Sequence, residues 1–287
     1  MIIHDLLRQR RLTGRHALVD GIPFTMPVNS EKSPALMAVF SIDRTAAAAL
    51  LPGGEVHPLR LPNGRGALVI TVIDYRETDI GSYIEFSVAI ACTHGARPAP
   101  ALLPMLLLGP YGTGQYVIDL PVSTLVSVKG GKGIWGMPKH QANLDFTIGD
   151  SQVSSQYDID GELAVRIEIT RPTGWRLPLR ASGVNYCAFR GMLVRSAVRF
   201  ASPVQVSLGS GAGARLYLGS SPYADQLRTL DIGGRPLVVA FLEDSHGVLD
   251  DHIESWFVTE EEPIKTVPEG LPSVVGLEPT QVWLDPP

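Results

Sequence analysis

The sequence predicts a mainly β (α+β) fold, in which one curved or closed antiparallel sheet system carries a few short helices. Two observations lead to this prediction. First, 29 glycines and 23 prolines among 287 residues divide the chain into brief segments, and short segments favour strands. Second, apolar and polar residues alternate with a period of two in several segments, most clearly in residues 83–91, whereas helical patterns are few. Such patterns are typical of sheets that close or pack in layers.

Individual strands are predicted from the same alternation. Residues 153–159 and 163–169 flank the turn dipeptide Asp160-Gly161, which predicts a β-hairpin. Residues 141–148 alternate in the same way and are expected to form one strand. Further strands are predicted at residues 36–42, 67–74, 115–120, 193–200, 204–208, 215–218 and 237–242.

Three short helices are predicted. Residues 3–11 have an amphipathic pattern, and residues 44–51 follow Asp43, a suitable N-cap. Residues 222–230 follow Ser221 and begin with a proline, which is favoured at the first helical position.

The chain is expected to form one domain over residues 1–258, because no linker or repeat divides it and its length permits a single large core. From residue 259 the composition becomes rich in proline and glutamate, so residues 259–287 are interpreted as a C-terminal arm.

Composition excludes several classes of protein. A formal net charge of −5 gives no clustered positive charge for nucleic acid, and the longest apolar run, residues 99–109, is too short to cross a bilayer. The start lacks the pattern of a secretion signal, so a cytoplasmic location is expected. The seven histidines and two cysteines lack metal-binding spacings. We therefore expect no metal, no cofactor, and buried thiols at Cys92 and Cys187.

A glycine-rich segment resembles a dinucleotide-binding motif. Gly131 to Gly136 fits the pattern G-x-G-x-x-G and follows residues 125–128, which look like a strand. Pro138 is unfavourable in the helix that this motif requires, and the residues after it alternate as a strand does. We therefore interpret the segment as a loop, in which Lys129 and Lys132 are solvated.

Lys139 is the candidate nucleophile. The chain has only five lysines, and three of them lie between residues 129 and 139. A lysine amine attacks carbonyl carbon only when neutral, and burial or a nearby cation lowers the pKa of a lysine from about 10.4. Ile134, Trp135 and Met137 offer apolar surroundings, and His140 is a candidate pKa-tuning cation, although neighbours on a strand point to opposite faces. The alternative is a solvated lysine on the surface.

Glu85 is the second candidate. It lies on a predicted strand with Tyr83 and Ser87, on the face opposite Ile84 and Phe86. This face is either exposed to solvent or, in a closed sheet, directed into the interior. A carboxylate beside a Schiff base could move protons or orient a substrate.

These residues resemble the acetoacetate decarboxylase superfamily. Residues 81–85, Gly-Ser-Tyr-Ile-Glu, are similar to the family's G-x-Y-x-E strand, and residues 131–139 are similar to its glycine-led segment that ends in Pro-Lys. Residues 215–218, 222–224 and 237–246 are similar to its C-terminal strand, short helix and strand. The order and spacing of these matches cover most of residues 36–249.

The resemblance implies a closed antiparallel sheet, a homo-oligomer, and a lysine that forms a Schiff base with a keto acid without a cofactor. By position the lysine is Lys139 and the family's strand glutamate is Glu85. Tyr83 would then be a proton donor in the substrate pocket, and Trp135 and Met137 would line that pocket.

The sequence also departs from the family pattern. His140 stands where the family's decarboxylases have a second lysine, and Leu68, Val69 and Ile70 occupy a strand where the family has a glutamate. No arginine is present near residues 32–34, where the family has one. These departures favour reactions on other keto acids, or a loss of catalysis.

The sequence therefore predicts a lyase that forms a Schiff base through Lys139 and decarboxylates a small 3-oxo acid of the acetoacetate type. One alternative is an aldolase or dehydratase that acts on a 2-oxo acid through the same Schiff base. A second alternative is a non-catalytic β-barrel that binds a small molecule.

Overall fold

The computed structural model describes residues 15–259. The predicted helix at residues 3–11 lies outside the described residues. The predicted C-terminal arm lies outside them as well, except for residue 259. Within residues 15–259 the strands are, in chain order, β1 (Arg15–Val19), β2 (Ile22–Met26), β3 (Val28–Glu31), β4 (Ala35–Ile42), β5 (Val56–Pro58), β6 (Gly66–Tyr75), β7 (Glu77–Thr78), β8 (Tyr83–His94), β9 (Gly114–Val122), β10 (Lys139–Gln141), β11 (Asn143–Leu144), β12 (Thr147–Ile148), β13 (Gln152–Ile159), β14 (Glu162–Thr170), β15 (Leu177–Phe189), β16 (Met192–Leu208), β17 (Ala214–Leu218), β18 (Pro236–Leu242) and β19 (His246–Phe257).

The helices of the described residues are short. They are α1 (Arg44–Ala48), α2 (Leu103–Leu106), α3 (Leu125–Trp135) and α4 (Pro222–Arg228), together with one 3-10 turn at Gly209–Gly211. The predicted caps are present, because Asp43 accepts from the Ala46 amide and Ser221 accepts from the Ala224 amide. The prediction of a mainly β fold with a few short helices is confirmed.

A large sheet forms most of the molecule. Its strands follow the order β10-β9-β8-β6-β4-β18-β16-β19-β3-β7, and β15 pairs with both β16 and β9. The double pairing of β15 closes a circuit of hydrogen-bonded strands, although the parallel contact between β15 and β9 joins only Asn185 to Gln115 and Tyr186 to Tyr116. β10 lies at one end of this order, parallel to β9.

A smaller sheet of β11, β12, β13, β14 and β17 packs against the large one. Phe86 and Val72 of the large sheet share one buried cluster with Tyr157 and Ile167 of the smaller sheet. This cluster is the largest buried cluster within residues 15–259, so the interface between the sheets is the main core of the fold. Burial of each large apolar side chain contributes about 1.5–3 kcal/mol to the stability of the fold. The predicted hairpin at residues 153–159 and 163–169 corresponds to β13 and β14.

The structure corrects the interpretation of residues 125–136. These residues are not a strand followed by a lysine loop but the helix α3, which ends at Gly136 in the left-handed conformation. Lys129 lies on this helix and pairs with Asp20 at 3.2 Å. Glycines lower helix propensity, which is why the sequence pattern did not indicate a helix.

Other predicted boundaries also change. The separate strands at residues 193–200 and 204–208 are one strand, β16, and the single strand at residues 141–148 is divided between the end of β10, β11 and β12. β15 and β19 were not predicted. β19 carries many polar residues, and neither strand has a regular alternation of buried and exposed positions along its whole length.

An apolar segment lies exposed on the surface around α2. Its exposed side chains are Leu102, Leu103, Met105, Leu106, Leu107 and Leu108. Within residues 15–259, none of the helices has the length and apolar character needed to cross a membrane.

Candidate active site

The backbone of Lys139 is held at the end of the large sheet. Lys139 is the first residue of β10 and lies opposite Leu120 of the parallel strand β9. Pro138 separates β10 from α3, and the short connection brings the lysine side chain back against the helix. Only 4% of the Lys139 side chain is exposed, so the alternative of a solvated surface lysine is wrong.

Two polar side chains contact the Lys139 amine. Nζ lies 2.7 Å from Oε2 of Glu85 and donates a hydrogen bond of 2.8 Å to Oγ of Ser127. The ring centre of Tyr83 lies 5.3 Å from Nζ, within the range of a cation–π interaction. The structure therefore brings together Lys139, Glu85 and Tyr83, which the sequence singled out separately.

The glycines of α3 make room for this arrangement. A side chain on Gly131 would overlap the Cδ and Cε atoms of Lys139, and a Cβ on Gly133 would lie 2.5 Å from Val19. Gly136 has a φ of 65°, which favours glycine, and it ends the helix. The G-x-G-x-x-G pattern thus serves close packing around a buried lysine.

Glu85 projects from the middle of the sheet. It lies on β8 between Ile73 of β6 and Val122 of β9, and 15% of its side chain is exposed. Because Glu85 is mostly buried, the alternative in which this face of β8 is exposed to solvent is wrong. Glu85 is the ion-pair partner of Lys139, and no other carboxylate within residues 15–259 pairs with that amine.

Two tyrosines flank the carboxylate. Tyr83 stacks on Tyr75, its partner across β6 and β8, with ring centres 4.6 Å apart. Burial, and secondly the negative charge of Glu85, raise the pKa of both phenols well above 10.0. A hydrogen bond between Ser127 and Tyr83 opposes this rise at Tyr83. Both phenols therefore keep their protons at neutral pH and can donate hydrogen bonds.

Trp135 and Met137 belong to the apolar cluster at this end of the sheet. Both are buried, together with Phe24, Leu120 and Cys187. The indole Nε1 of Trp135 donates to the carbonyl oxygen of Asp250 at 3.1 Å, which fixes the end of α3 to β19. Burial raises the pKa of the Cys187 thiol to about 12, while the positive charge of Lys139 acts in the opposite direction.

His140 points away from the lysine amine. Its Nε2 lies 2.7 Å from Oδ1 of Asp119, and its ring stacks on Tyr223 at 4.7 Å. Within residues 15–259, these partners of the His140 ring differ from Glu85, Ser127 and Tyr83, which surround the Lys139 amine. The alternation of neighbours along a strand explains this separation.

The sequence did not predict four residues near Lys139 and His140. Tyr75 and Ser127 lie beside Tyr83 and Lys139, and Asp119 and Tyr157 lie on the side of His140. Tyr75 could have been found as the partner of Tyr83, had the register of β6 and β8 been known. Ser127 lies twelve residues before Lys139, and only the helix and the turn after it bring the two together.

Two surface cavities lie elsewhere. One of about 440 Å³ is lined by β17, α4 and residues 232–234, and one of about 470 Å³ is lined by residues 141–143 and 158–161. Neither is lined by Lys139 or Glu85. No group of three potential metal ligands is found within residues 15–259.

A family of known proteins matches this part of the chain. The sequence profile of the family described as Acetoacetate decarboxylase (ADC) matches residues 13–179, which is more than half of the 287 residues. The chain belongs to the acetoacetate decarboxylase family. The matched segment contains Tyr83, Glu85, Ser127 and Lys139, and the resemblance found in the sequence is confirmed.

Solved structures share the fold of this family member. An acetoacetate decarboxylase from Legionella pneumophila has a TM-score of 0.55 at 13% identity, over 78% of this chain and 85% of that chain. The enduracididine biosynthesis enzyme MppR, complexed with pyruvate, has a TM-score of 0.57 at 17% identity, over 80% and 90%. Another acetoacetate decarboxylase structure has a TM-score of 0.58 at 13% identity, over 80% and 89%. A comparison with curated proteins found no significant match.

Proposed function

We propose that the protein is a cofactor-independent lyase that forms a Schiff base between Lys139 and a small keto acid, and that it decarboxylates a 3-oxo acid of the acetoacetate type. The contact of 2.7 Å between the buried Lys139 amine and Glu85 carries this proposal. Membership of the acetoacetate decarboxylase family supports it.

Glu85 supplies the base that the nucleophile requires. Transfer of one proton from Lys139 Nζ to Glu85 produces a neutral amine and a carboxylic acid, over a distance suited to direct transfer. The amine then attacks the keto carbon, a proton moves from nitrogen to the former carbonyl oxygen, and Glu85 returns its proton to that oxygen. Water leaves, and a protonated imine remains beside the ionised Glu85.

The protonated imine accepts the electrons of decarboxylation. The bond between the α-carbon and the carboxylate breaks, CO2 leaves, and its electron pair forms an enamine with the nitrogen neutralised. Tyr83 keeps its proton at neutral pH, so it relays a proton from water to the enamine carbon in one concerted transfer, in which its hydroxyl gives one proton and takes up another while water becomes hydroxide. Hydrolysis of the resulting imine releases the ketone and restores the Lys139 amine.

A second candidate reaction is aldol cleavage or dehydration of a 2-oxo acid through the same imine. The departures from the family pattern favour it, because they remove charged groups from the surroundings of the substrate carboxylate. Leu68 and Ile70 are fully buried in the main core, and Lys32 pairs with Glu77 at the surface. Neither position supplies a charge beside Lys139.

Borohydride trapping tests the Schiff base. The protein is incubated with acetoacetate or pyruvate, reduced, digested and weighed by mass spectrometry, and the adduct is expected on Lys139. Lys139→Met should abolish the adduct, whereas Lys129→Met should retain it, because Lys129 lies on the exposed side of α3 and pairs with Asp20.

The products distinguish the candidate functions. Release of CO2 from acetoacetate supports the decarboxylase, and condensation of pyruvate with an aldehyde supports the aldolase. Absence of an adduct with every keto acid of a panel would overturn the Schiff base. Retained affinity for a keto acid in Lys139→Met, without turnover in the parent protein, would establish the non-catalytic binding protein instead.

We also propose that the protein is a homo-oligomer, as the family resemblance implies. The exposed apolar segment at residues 102–108 supports this, because contiguous apolar surface on a monomer commonly marks an interaction site.

A further inference from the structure

A buried polar network lies on the face of β10 opposite Lys139. The carboxylate of Asp119 receives two contacts: Oδ1 lies 2.7 Å from Nε2 of His140, and the hydroxyl of Tyr157 donates to Oδ2 at 2.6 Å. Asp119 is 4% exposed and Tyr157 is fully buried. Burial, then the adjacent Asp119 carboxylate, raise the pKa of Tyr157, so its hydroxyl remains a donor. Asp119 and Tyr157 are therefore enclosed by protein, whereas 18% of the His140 side chain is exposed.

The network joins parts of the fold that are distant in sequence. Asp119 belongs to β9, His140 to β10 and Tyr157 to β13 of the smaller sheet. Tyr223 of α4 stacks on the His140 ring at an interplanar angle of 12°. His140 is thus attached to both sheets and to a helix, whereas its neighbour Lys139 is directed towards α3.

β10 needs such an attachment. It has only three residues and lies at the end of the sheet order, with β9 as its paired strand. A strand this short gains little from backbone pairing alone. A loss of either partner of Asp119 would also leave a buried carboxylate with an unsatisfied oxygen, which is costly.

We propose that Asp119, His140 and Tyr157 are positioning residues, which fix β10 so that the Lys139 amine stays in contact with Glu85 and Ser127. His140 acts through its hydrogen bond to Asp119 and not as a charge that tunes Lys139. This inference rests on the proposed function for its effect on turnover, but its effect on Lys139 is measurable without any substrate.

Two substitutions of His140 separate the hydrogen bond from the charge. His140→Gln places an amide nitrogen near the position of Nε2 and carries no charge, whereas His140→Leu has no donor. Ser155→Ala is the matched control, because Ser155 is buried on the same strand as Tyr157 but bonds to the Asp145 carbonyl oxygen. All variants are first compared with the parent protein by circular dichroism and thermal unfolding.

The first measurement is the rate at which formaldehyde and cyanoborohydride methylate Lys139, relative to Lys129 in the same molecule. In His140→Leu the loosened strand should expose the amine and raise this ratio about fivefold or more, as expected for local opening. His140→Gln and Ser155→Ala should stay close to the parent ratio. An equal ratio in all four proteins would overturn the proposal, even if no keto acid proves to be a substrate.

The second measurement is turnover of the keto acid that is trapped on Lys139. His140→Leu should lower kcat about tenfold to 100-fold, because small displacements of a reacting group have effects of this size. His140→Gln should recover most of that loss and keep the parent pH profile, and Ser155→Ala should match the parent. A His140→Gln variant as slow as His140→Leu, with a displaced pH profile, would show that the charge matters and would contradict the proposal. A parent protein that is never trapped contradicts the proposed function, but not the positioning role.

Discussion

In the proposed mechanism Glu85 has two roles, because the same carboxylate that balances the charge of Lys139 also receives its proton. The Lys139 side chain is almost wholly buried, and within residues 15–259 Glu85 is the carboxylate that forms its ion pair. A buried charge without a counter-ion is unfavourable, so the proposed mechanism moves the proton directly from one partner to the other, which leaves neither group charged alone.

Replacement of Glu85 should therefore remove catalysis, and it also leaves the buried Lys139 amine without its counter-ion. We expect Glu85→Gln to lower kcat/KM for the trapped keto acid by about 100-fold or more, because an amide cannot accept the proton. Glu77→Gln is the control, since Glu77 pairs with Lys32 at the surface. Normal turnover in Glu85→Gln would show that another group acts as the base.

At the scale of elements, α3 is the part of the site that determines how closely Lys139 can approach. Alanine is normally better than glycine inside a helix by about 1 kcal/mol. Gly131 reverses that preference, because the methyl group of an alanine would occupy the space of the Lys139 side chain. Phe24 approaches Gly130 in the same manner, and its ring lies 2.7 Å from the point that an alanine Cβ would occupy there.

We expect Gly131→Ala to displace Lys139 and to reduce the rate of borohydride trapping by about tenfold or more, because the amine leaves its contacts with Glu85 and Ser127. Gly54→Ala is the matched control, as no atom lies within 4 Å of a Cβ at that position. Equal trapping in the two variants would mean that α3 adapts to the extra methyl group.

The sequence predicted β-structure better than it predicted α3. Alternation in the sequence revealed the hairpin of β13 and β14, where one face of β13 is buried, and also β8, although residues 86–90 of β8 are buried on both faces. The helix α3 was not predicted because it contains Gly130, Gly131 and Gly133, and glycine has a low helix propensity. These glycines allow close contacts with side chains distant in sequence, which the local pattern does not reveal. Lys139 and Glu85 were predicted as site residues from residue type and family resemblance, whereas their neighbours Ser127 and Tyr75 become visible only when the tertiary register is known.

At the scale of the whole molecule, Tyr157 and Tyr186 are fully buried within the fold, which makes it sensitive to alkali. Burial, then the charge of Cys92, raise the pKa of Tyr186 from 10.0 to about 12. Above about pH 10 the unfolded chain releases the proton that the folded state keeps, so the free energy of unfolding decreases with rising pH until about pH 12. Below about pH 10 this contribution is fully present.

Urea unfolding at about pH 9 and about pH 11 measures this effect. Tyr186→Phe should show a smaller decrease in the free energy of unfolding between the two values than the parent protein. Tyr217→Phe, which alters an exposed tyrosine of β17, should retain the parent decrease. A Tyr186→Phe protein with the parent decrease would show that Tyr186 does not contribute.

The proposed homo-oligomer gives a further expectation for the whole molecule. Leu106 is 77% exposed within the apolar segment at residues 102–108, so Leu106→Glu should lower the particle mass measured by light scattering. Leu18→Glu changes a leucine that is similarly exposed on β1 and should leave the mass unchanged. A monomeric parent protein would contradict the proposed assembly.

Because α3 covers one side of the Lys139 amine, we expect the proposed reaction to be stereoselective. Ser127 lies on that side, Glu85 occupies a second direction around the nitrogen and the Tyr83 ring a third, so in the proposed mechanism a bound substrate extends away from all three. In the proposed mechanism, a planar enamine held in this way would receive its proton on one face. In heavy water, a 3-oxo acid with one alkyl group on its α-carbon would therefore yield a single enantiomer of the deuterated ketone.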